Sequence, residues 1–276
     1  IFIAHTLGNP FNIKKIKKFA EKYNLYLIED CCDALGAEYN EQNVGTFGDI
    51  ATLSFYPAHH ITMGEGGGIF CKSSKLKKII ESIRDWGRDC WCETGCDNTC
   101  KKRFDWKLGN LPHGYDHKYT YSNLGYNLKI TDIQASIGLA QFSRLEEFIN
   151  KRRENFLYLN NLLFKLNKHF ILPKATPNSN PSWFGFPLTI KSQSKIKRHH
   201  LINYLEENGI STRLLFGGNI IKQPYMLNQE YRVVGNLNVS NKIMNNSFWI
   251  GIYPGLRKKH LMHVYNTLEK YCKLYS

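Results

Sequence analysis

The stretch Ser54-Phe55-Tyr56-Pro57-Ala58-His59-His60-Ile61-Thr62-Met63-Gly64-Glu65-Gly66-Gly67 decides how the chain folds. It begins at the end of an apolar run, Ile50–Phe55, and leads into another, Ile69–Lys72. Both runs have the length and composition of buried strands. The glycines predict a turn between them, and the polar side chains of Ser54 and His59 then lie at or just past a strand end.

Before this stretch, apolar runs alternate with one amphipathic helix. We predict a strand at Ile1–His5, a helix at Asn12–Tyr23 with Asn12 as its N-cap, and a strand at Leu25–Asp30. A hairpin-like segment follows at Ala37–Phe47. This alternation predicts an α/β sheet whose functional site lies at the carboxyl ends of the strands.

After the glycine turn, a helix is predicted at Lys75–Trp86, and Gly87 is placed to end it. Residues 88–128 form a predicted loop, and loops of this length are usually functional or disordered. A long amphipathic helix is predicted from Thr131 to about Leu166. The elements predicted after it are a strand at Phe184–Ile190, a helix at Lys195–Asn208, a strand from Ile210 and a helix from Arg257. We therefore divide the chain into a large domain, 1–150, and the connecting helix with a smaller α+β domain, 151–276.

The composition argues against several classes of protein. The chain has 276 residues, 42% of them apolar, so it can bury a core. It has no apolar run long enough to predict a membrane span and no recognisable secretory signal. The 37 Lys and Arg exceed the 23 Asp and Glu, but the lysines are scattered and no nucleic-acid motif accompanies them. The sequence starts inside a predicted strand without Met, so we expect an N-terminal part to precede it.

Eight cysteines are present, and four of them fall within residues 90–100. In a chain without a secretory signal, clustered cysteines indicate a metal site rather than disulfides. Zinc usually takes pairs of cysteines with two to four residues between them, whereas one residue separates Cys90 from Cys92. An iron–sulfur cluster needs several thiolates on a loop that can wrap it. The pattern favours iron–sulfur, with zinc as the alternative.

Several motifs together resemble the nucleotide-sugar aminotransferase and dehydratase family of fold-type-I PLP enzymes. The family has an Asp that ends a strand, then a Ser-Phe segment and a Gly-Glu-Gly-Gly turn, and Asp30, Ser54 and Gly64–Gly67 match these features. Further similar segments are Gly125–Ala135, Gly209–Arg213 and Tyr253–Leu256. The resemblance covers almost the whole chain. It implies an α/β, type I PLP-dependent aminotransferase fold with a smaller α+β C-terminal domain, in a homodimer.

The resemblance implies a role for each residue on the cofactor side. Asp30 would lie beside the pyridine nitrogen and keep it protonated, so that the ring accepts electrons. Ser54 would donate its hydroxyl to the cofactor phosphate, and Asn127 would reach that phosphate from the partner subunit. Asp33 stands where the aminotransferases of the family commonly have Gln or His near the ring hydroxyl.

At the position of the family's lysine this sequence has His59. An imidazole has no primary amine, so it cannot form the imine that a lysine forms with PLP. A histidine can take and return a proton near neutral pH, which suits a cofactor already present as pyridoxamine 5′-phosphate (PMP). We predict that His59 is the catalytic base, with the adjacent His60 as the alternative. The predicted pocket residues are Tyr56 and Phe184, at positions that differ between the two branches of the family, Arg213 and Asn219, by their place in the segment Gly209–Asn219, and His60, next to His59.

The cysteine spacing narrows the resemblance to the iron–sulfur 3-dehydratases of this family. Their pattern is Cys, 57 residues, Cys, one residue, Cys, seven residues, Cys, and the cysteines with this spacing are Cys32, Cys90, Cys92 and Cys100. The resemblance implies that these four hold a [2Fe–2S] cluster. Cys31 and Cys96 are then bystanders, either of which could substitute for a neighbouring ligand.

This subgroup implies C3 dehydration of CDP-4-keto-6-deoxyglucose in 3,6-dideoxyhexose synthesis for lipopolysaccharide O-antigen, in the cytoplasm. A separate NADH-dependent flavin iron–sulfur reductase would supply the electrons. Two enzyme alternatives are open: a PLP-dependent sugar aminotransferase, disfavoured by His59, and an iron-free 3-dehydratase, disfavoured by the cysteine spacing. The third alternative is a non-catalytic iron–sulfur or zinc-binding protein, which assays of cofactor, iron and sulfide would distinguish.

Overall fold

Two main β-sheets organise the chain, in a computed structural model that describes residues 1–93 and 95–275. The first half contains β1 (Phe2–Ala4), α1 (Ile13–Lys22), β2 (Ile28–Asp30), β3 (Glu38–Tyr39), β4 (Gln42–Asn43), β5 (Ile50–Ser54), β6 (Gly67–Cys71) and α2 (Ser74–Arg84). The second half contains α3 (Asp132–Phe142), α4 (Leu145–Leu163), β7 (Phe170–Ile171), β8 (Ser179–Asn180), β9 (Gly185–Ile190), α5 (Arg198–Glu207), β10 (Thr212–Leu214), α6 (Asn238–Asn246), β11 (Ser247–Gly251) and α7 (Lys258–Lys273). Among the described residues, no helix combines the length and apolar character needed to cross a bilayer.

The first sheet has the strand order β1-β2-β5-β6. β2 is parallel to both β1 and β5, and β6 is antiparallel to β5. Because parallel strands end at the same edge of a sheet, the carboxyl end of β2 lies beside that of β5. Asp30 pairs with Thr52, two residues before Ser54. α1 begins as predicted, with Asn12 Oδ1 accepting the backbone N–H of Lys15 at 3.1 Å.

The second sheet is antiparallel, in the order β10-β11-β9-β7, and it carries the main core. The large side chains buried there come from the sheet and from α4, α5 and α7, and they include Leu159, Phe186, Leu201, Phe248 and Leu268. Each such side chain contributes roughly 1.5–3 kcal/mol by leaving water. A small third sheet, β4-β3-β8, joins the two halves of the chain. The predicted domain boundary after residue 150 falls inside α4 and stays a prediction.

The single long helix predicted over 131–166 is wrong, because the structure has two helices that are separated at Ser143 and Arg144. Ser143 Oγ donates to the carbonyl of Ala140 at 2.9 Å, and this bond competes with the helical hydrogen bonds of the backbone. Arg144 has φ −107° and ψ 2°, outside the helical range. α4 buries one face against the core, whereas no described side chain of α3 is buried.

Glu29, in the middle of β2, is a fully buried carboxylate with several partners. It accepts the backbone N–H groups of Gly45 (2.9 Å), Phe47 (2.8 Å) and Gly48 (2.6 Å), and its Oε2 is 3.1 Å from His5 Nε2. Burial alone raises the pKa of Glu29, but the hydrogen bonds from His5 and the loop hold that pKa below its ordinary value. The carboxylate therefore fixes the 45–48 loop against β2.

Replacing Glu29 with Ala is expected to lower the free energy of unfolding by about 3–5 kcal/mol, because three backbone N–H groups lose their buried acceptor. Denaturant unfolding followed by circular dichroism measures the change. Glu21→Ala, at an exposed position of α1, is the control and should alter unfolding by less than about 0.5 kcal/mol. Equal effects of the two substitutions would contradict the structural role of Glu29.

Candidate active site

The carboxyl ends of β2 and β5 present the two residues expected to hold a cofactor. Asp30 ends β2, and its Oδ1 accepts the backbone N–H of Cys32 at 3.0 Å and the hydroxyl of Thr52 at 3.3 Å. Ser54 ends β5, and its Oγ accepts the backbone N–H of Tyr56 at 3.3 Å. A carboxylate and a hydroxyl thus lie at the edge where open α/β sheets bind ligands.

His59 lies in the turn after β5, partly buried beside Asp33. Its Nδ1 is 3.5 Å from Asp33 Oδ1 and, although buried, has no hydrogen-bond partner. Its backbone N–H donates to the Tyr56 carbonyl at 3.0 Å. Burial lowers the pKa of His59, the charge of Arg152 lowers it further, and Asp30 opposes both. The imidazole is therefore mainly neutral at pH 7 and can accept a proton.

Asp33 lies beside His59 and also lines a cavity at the end of β2. Its Oδ2 accepts the backbone N–H of Leu7 at 3.2 Å. Burial raises the pKa of Asp33 to about 6, against the opposing effects of the Leu7 N–H and Arg152. The cavity, of about 210 Å³, is lined by Ala4, His5, Asp30, Cys32, Asp33 and Phe216.

A larger cleft, of about 620 Å³, lies beside His59. The Phe184 ring stacks on the His59 ring at 5.1 Å and lies 5.5 Å from the ring of Trp249. The two halves of the chain both contribute to its lining, which includes His59, Arg152, Phe184, Arg213, Trp249 and Tyr253. Aromatic walls with a few polar groups are typical of small-molecule sites.

No sequence motif points to Arg152, which lines this cleft and is only 3% exposed. One pattern could have identified it. It lies between Ile149 and Phe156 in the buried row of α4, which continues with Leu159 and Leu163. A charged residue in such an apolar row is rare and indicates a buried charge with a specific partner.

His60, the alternative base, borders the cleft but is buried and hydrogen-bonded. Its Nε2 lies 3.0 Å from the carbonyl of Ser182, so this nitrogen donates its proton there. Burial, and then Arg152, lower the pKa of His60 to about 3. Tyr56 is 50% exposed, with its ring edge-on to that of His59 at 6.3 Å. The geometry favours His59 over His60 as the group that meets a substrate.

The remaining pocket predictions lie in different places. Arg213, on β10, is exposed and lines the cleft. Asn219 is buried, donates to Asn241 Oδ1 at 2.9 Å and is not among the described residues that line the cleft. Asn127 is exposed and accepts a hydrogen bond from Lys129 Nζ at 3.0 Å. Its contact with a cofactor of the partner subunit stays a prediction.

The donors at this site fit pyridoxamine phosphate. Asp30 offers a carboxylate, Ser54 a hydroxyl, and His59 an imidazole at the cleft. Within residues 1–93 and 95–275, neither the cleft nor the smaller cavity is lined by a lysine. The described residues around both therefore lack the primary amine that would bind PLP as an imine, which favours the amine form of the cofactor.

Three of the four predicted cluster cysteines meet around one cavity in the 88–128 segment. Cys90, Cys92 and Cys100 line this cavity, of about 110 Å³. The Thr99 hydroxyl donates to Cys92 Sγ at 3.1 Å and lowers the pKa of that thiol to about 7. Soft thiolates in this number suit iron or zinc. The chemistry of the donor set thus fits three positions of a metal cluster.

Cys32 lines the cavity at the end of β2, beside Asp30. It is not among the residues that line the cavity of Cys90, Cys92 and Cys100, here called the thiol cavity. Burial and then Asp30 raise the pKa of Cys32 to about 12. Of the two predicted bystanders, Cys31 is buried and Cys96 is exposed. The structure therefore brings together three of the proposed ligands and leaves the fourth at the cofactor edge.

The wall of the thiol cavity includes His117, which no motif had indicated. This residue is 1% exposed, and its Nε2 lies 2.6 Å from Asp89 Oδ2. Its ring packs against those of Trp91 at 5.2 Å and Trp106 at 5.0 Å. These contacts pack the buried His117 between two tryptophans of the cysteine segment.

A separate group of potential metal ligands is found at His5, Glu29 and Cys31, whose ligand atoms lie within 4.8 Å of one another in the described part of the chain. Glu29 already accepts three backbone N–H groups as well as its contact with His5. Its acceptor capacity is therefore largely used, and this group serves the fold.

The chain is similar to one protein family and to several known proteins. A sequence profile of the DegT/DnrJ/EryC1/StrS aminotransferase family matches residues 1–269. The lipopolysaccharide biosynthesis protein RfbH of Salmonella typhimurium is 62% identical over 98% of this chain and 62% of its own length. A dTDP-4-dehydro-2,6-dideoxy-D-glucose 3-dehydratase of Saccharopolyspora spinosa is 50% identical over 98% of this chain and 58% of its own length. The chain thus spans about three-fifths of these relatives.

Solved structures agree with this comparison. A GDP-4-keto-6-deoxymannose-3-dehydratase with bound GDP-perosamine superposes with a TM-score of 0.83 at 26% identity, over 97% of this chain and 67% of that one. An Escherichia coli GDP-4-keto-6-deoxy-D-mannose-3-dehydratase with bound hydrated PLP also gives 0.83, at 27% identity, over 97% and 66%. This likeness confirms the predicted type I PLP aminotransferase fold. By the profile match over residues 1–269, the chain belongs to the DegT/DnrJ/EryC1/StrS aminotransferase family.

Proposed function

We propose that this chain carries the catalytic centre of a PMP- and [2Fe–2S]-dependent 3-dehydratase that acts on CDP-4-keto-6-deoxyglucose in 3,6-dideoxyhexose synthesis. The observation that carries the proposal is His59, with its partly buried imidazole beside Asp33, at the family's lysine position. The names of the proteins compared above support the substrate class, because the Saccharopolyspora spinosa relative and the two solved structures are 3-dehydratases of nucleotide 4-keto sugars and RfbH is a lipopolysaccharide biosynthesis protein.

Each residue of such a site would have a separate role. PMP, when bound, supplies an amine for the 4-keto group of the sugar and a ring that accepts electrons. Asp30 would keep the ring nitrogen protonated, and Ser54 would hold the phosphate. Asp33 faces Nδ1 of His59, so Nε2 is the nitrogen left to take and return a proton. Arg213, at the cleft, is placed to meet the negative charge of a diphosphate.

The cluster and the partners complete the proposal. Cys90, Cys92 and Cys100 would be three ligands of a [2Fe–2S] cluster, and Cys32 the fourth. An NADH-dependent flavin iron–sulfur reductase would deliver single electrons to it. The functional unit would be a cytoplasmic homodimer, with Asn127 reaching the phosphate of the neighbouring site.

The location of Cys32 in a separate cavity favours one second candidate, a 3-dehydratase that needs no iron. Such an enzyme would use the same His59 and Asp30. Its cysteine segment would be structural or hold zinc.

A single set of assays on the complete protein, as its gene encodes it, tests the proposal. We expect PMP, iron and acid-labile sulfide in the purified protein, and a 3-deoxy product from CDP-4-keto-6-deoxyglucose in the presence of a reductase. GDP- and dTDP-linked 4-keto sugars are the comparison substrates. Dehydration without iron would establish the second candidate, and transfer of an amino group from glutamate to the sugar would refute both.

A further inference from the structure

Arg152 is a buried cation in the cleft beside His59, the proposed base. Its side chain is 3% exposed, on the buried row of α4, and it lines the cleft beside His59. Burial lowers the pKa of Arg152 to about 10, opposed by Asp33, so the guanidinium keeps its charge at neutral pH. A buried permanent charge is costly and needs nearby acceptors or charges to balance it.

The acceptors of Arg152 belong to the segment that carries Phe184. Its Nη1 donates to the carbonyl of Phe184 at 3.1 Å and to that of Trp183 at 3.4 Å. The guanidinium also lies over the Phe184 ring, with Cζ 5.7 Å from the ring centroid. Phe184 in turn stacks on the His59 imidazole at 5.1 Å. One chain of contacts therefore runs from α4 to the base.

The charged and titratable groups around His59 come from three parts of the chain. Asp33 is 3.5 Å away, and Asp30 lies at the end of β2. His60 follows in the same turn, and Arg152 acts from α4 on both histidines and on Asp33. Arg152 is the cation among these groups that stays charged at every physiological pH.

We propose that Arg152 is a positioning residue for His59: it holds the Phe184 segment through backbone carbonyls, and so holds the Phe184 ring against the imidazole. The inference rests on the proposed dehydratase function. Arg152 itself would transfer no proton.

The neighbouring Arg153 provides a matched control. It lies on the same helix, and its guanidinium donates to the carbonyls of Pro181 at 2.9 Å and Gly36 at 3.0 Å. Its bond to Pro181 is of the same kind and reaches the segment that carries Phe184, but Arg153 does not line the cleft. Loss of either arginine should destabilise the segment, and only loss of Arg152 should disturb His59.

The test compares Arg152→Met, Arg152→Lys, Arg153→Met and Phe184→Leu in the complete protein. We expect Arg152→Met to lower kcat by about 10²-fold, as misplacement of a catalytic group does, with KM changed by less than about threefold. Lys keeps the positive charge and a donor nitrogen but lacks the planar guanidinium of Arg. Arg152→Lys should therefore lower kcat only about tenfold. Arg153→Met should leave kcat within about twofold. Adding Arg152→Met to Phe184→Leu should cost less than about threefold more, because both act through one ring.

Crystal structures of the two Met variants provide a readout that does not depend on activity. The Phe184 ring should move away from His59 in Arg152→Met and stay in Arg153→Met. Equal losses of kcat in both, multiplying effects of Arg152→Met and Phe184→Leu, or an unmoved ring would overturn the inference. If Arg152→Met does not fold, the ring position and kcat of Arg152→Lys decide in the same way. Absence of dehydration by the unsubstituted protein would instead refute the proposed function, while the ring position would still test Arg152.

Discussion

Replacing His59 with Asn is expected to reduce dehydration by about 10²–10⁴-fold while the cofactor still binds, because the substitution removes the proton acceptor and little else. Steady-state rates and the absorbance of the bound cofactor measure the two effects separately. His199→Asn, at an exposed position of α5, is the matched control and should leave both unchanged. Near-full turnover of His59→Asn would contradict the assignment, and His60 would then be tested.

The pH dependence of kcat/KM should reflect the protonation of His59. A base must be unprotonated to act, so the rate is retained above the His59 pKa and lost as the pH falls through it. Burial, and then the charge of Arg152, hold that pKa below its ordinary value of 6.5. We therefore expect the acidic limb to lie below pH 6.5. The nearby Asp33, with its pKa raised by burial to about 6, titrates in the same range.

The reverse substitution at the same position distinguishes the two branches of the family. His59→Lys restores a primary amine, so we expect the protein to bind PLP as a protonated imine with the absorbance typical of that species. His60→Lys is the comparison variant, because the neighbouring His60 is buried and is hydrogen-bonded to the carbonyl of Ser182. An imine in His60→Lys but not in His59→Lys would show that the two histidines have been assigned in the wrong order.

Replacing Cys92 or Cys100 with Ser is expected to abolish the visible spectrum of the cluster and the formation of 3-deoxysugar with the reductase. Both thiols line the cavity in the 88–128 segment, and a serine hydroxyl is a poor ligand for the soft sites that iron–sulfur clusters occupy. Hydrogen exchange between solvent and the bound cofactor in the presence of substrate should persist, because that step depends on His59 and Asp30 and transfers no electrons from the cluster. Iron and sulfide content, the visible spectrum and product formation are the measurements.

Cys96→Ser is the matched control for these substitutions. Cys96 lies in the same segment but is exposed, and it does not line the thiol cavity among the described residues. It should be nearly silent. Loss of the cluster in Cys96→Ser with its retention in Cys100→Ser would contradict the ligand assignment. Cys32→Ser answers the remaining question, because a cluster that survives this change cannot use Cys32 as a ligand.

Local sequence predicted the elements of the first sheet well. The N-cap at Asn12, the strand that ends at Asp30 and the glycine turn after Ser54 all depend on nearest neighbours in the chain, and the structure has each of them. The predicted helix over 131–166 failed at Ser143, because a single serine bonded to a carbonyl of the preceding turn ends α3. An apolar periodicity that continues across such a residue cannot show this break.

The sequence by itself determined the fold class and predicted the reacting groups: Asp30 and Ser54 at strand ends, and His59 at the position where the family resemblance implies a lysine. These follow from residue type and spacing, which a motif records directly. Only the tertiary structure decided that Arg152 donates to the Phe184 carbonyl and lies over the Phe184 ring. The same holds for the hydrogen bond between His60 and the Ser182 carbonyl, and for the location of Cys32 in a different cavity from Cys90. Each of these depends on segments far apart in the chain, and burial and contact between such segments are set by packing, which spacing along one segment does not encode.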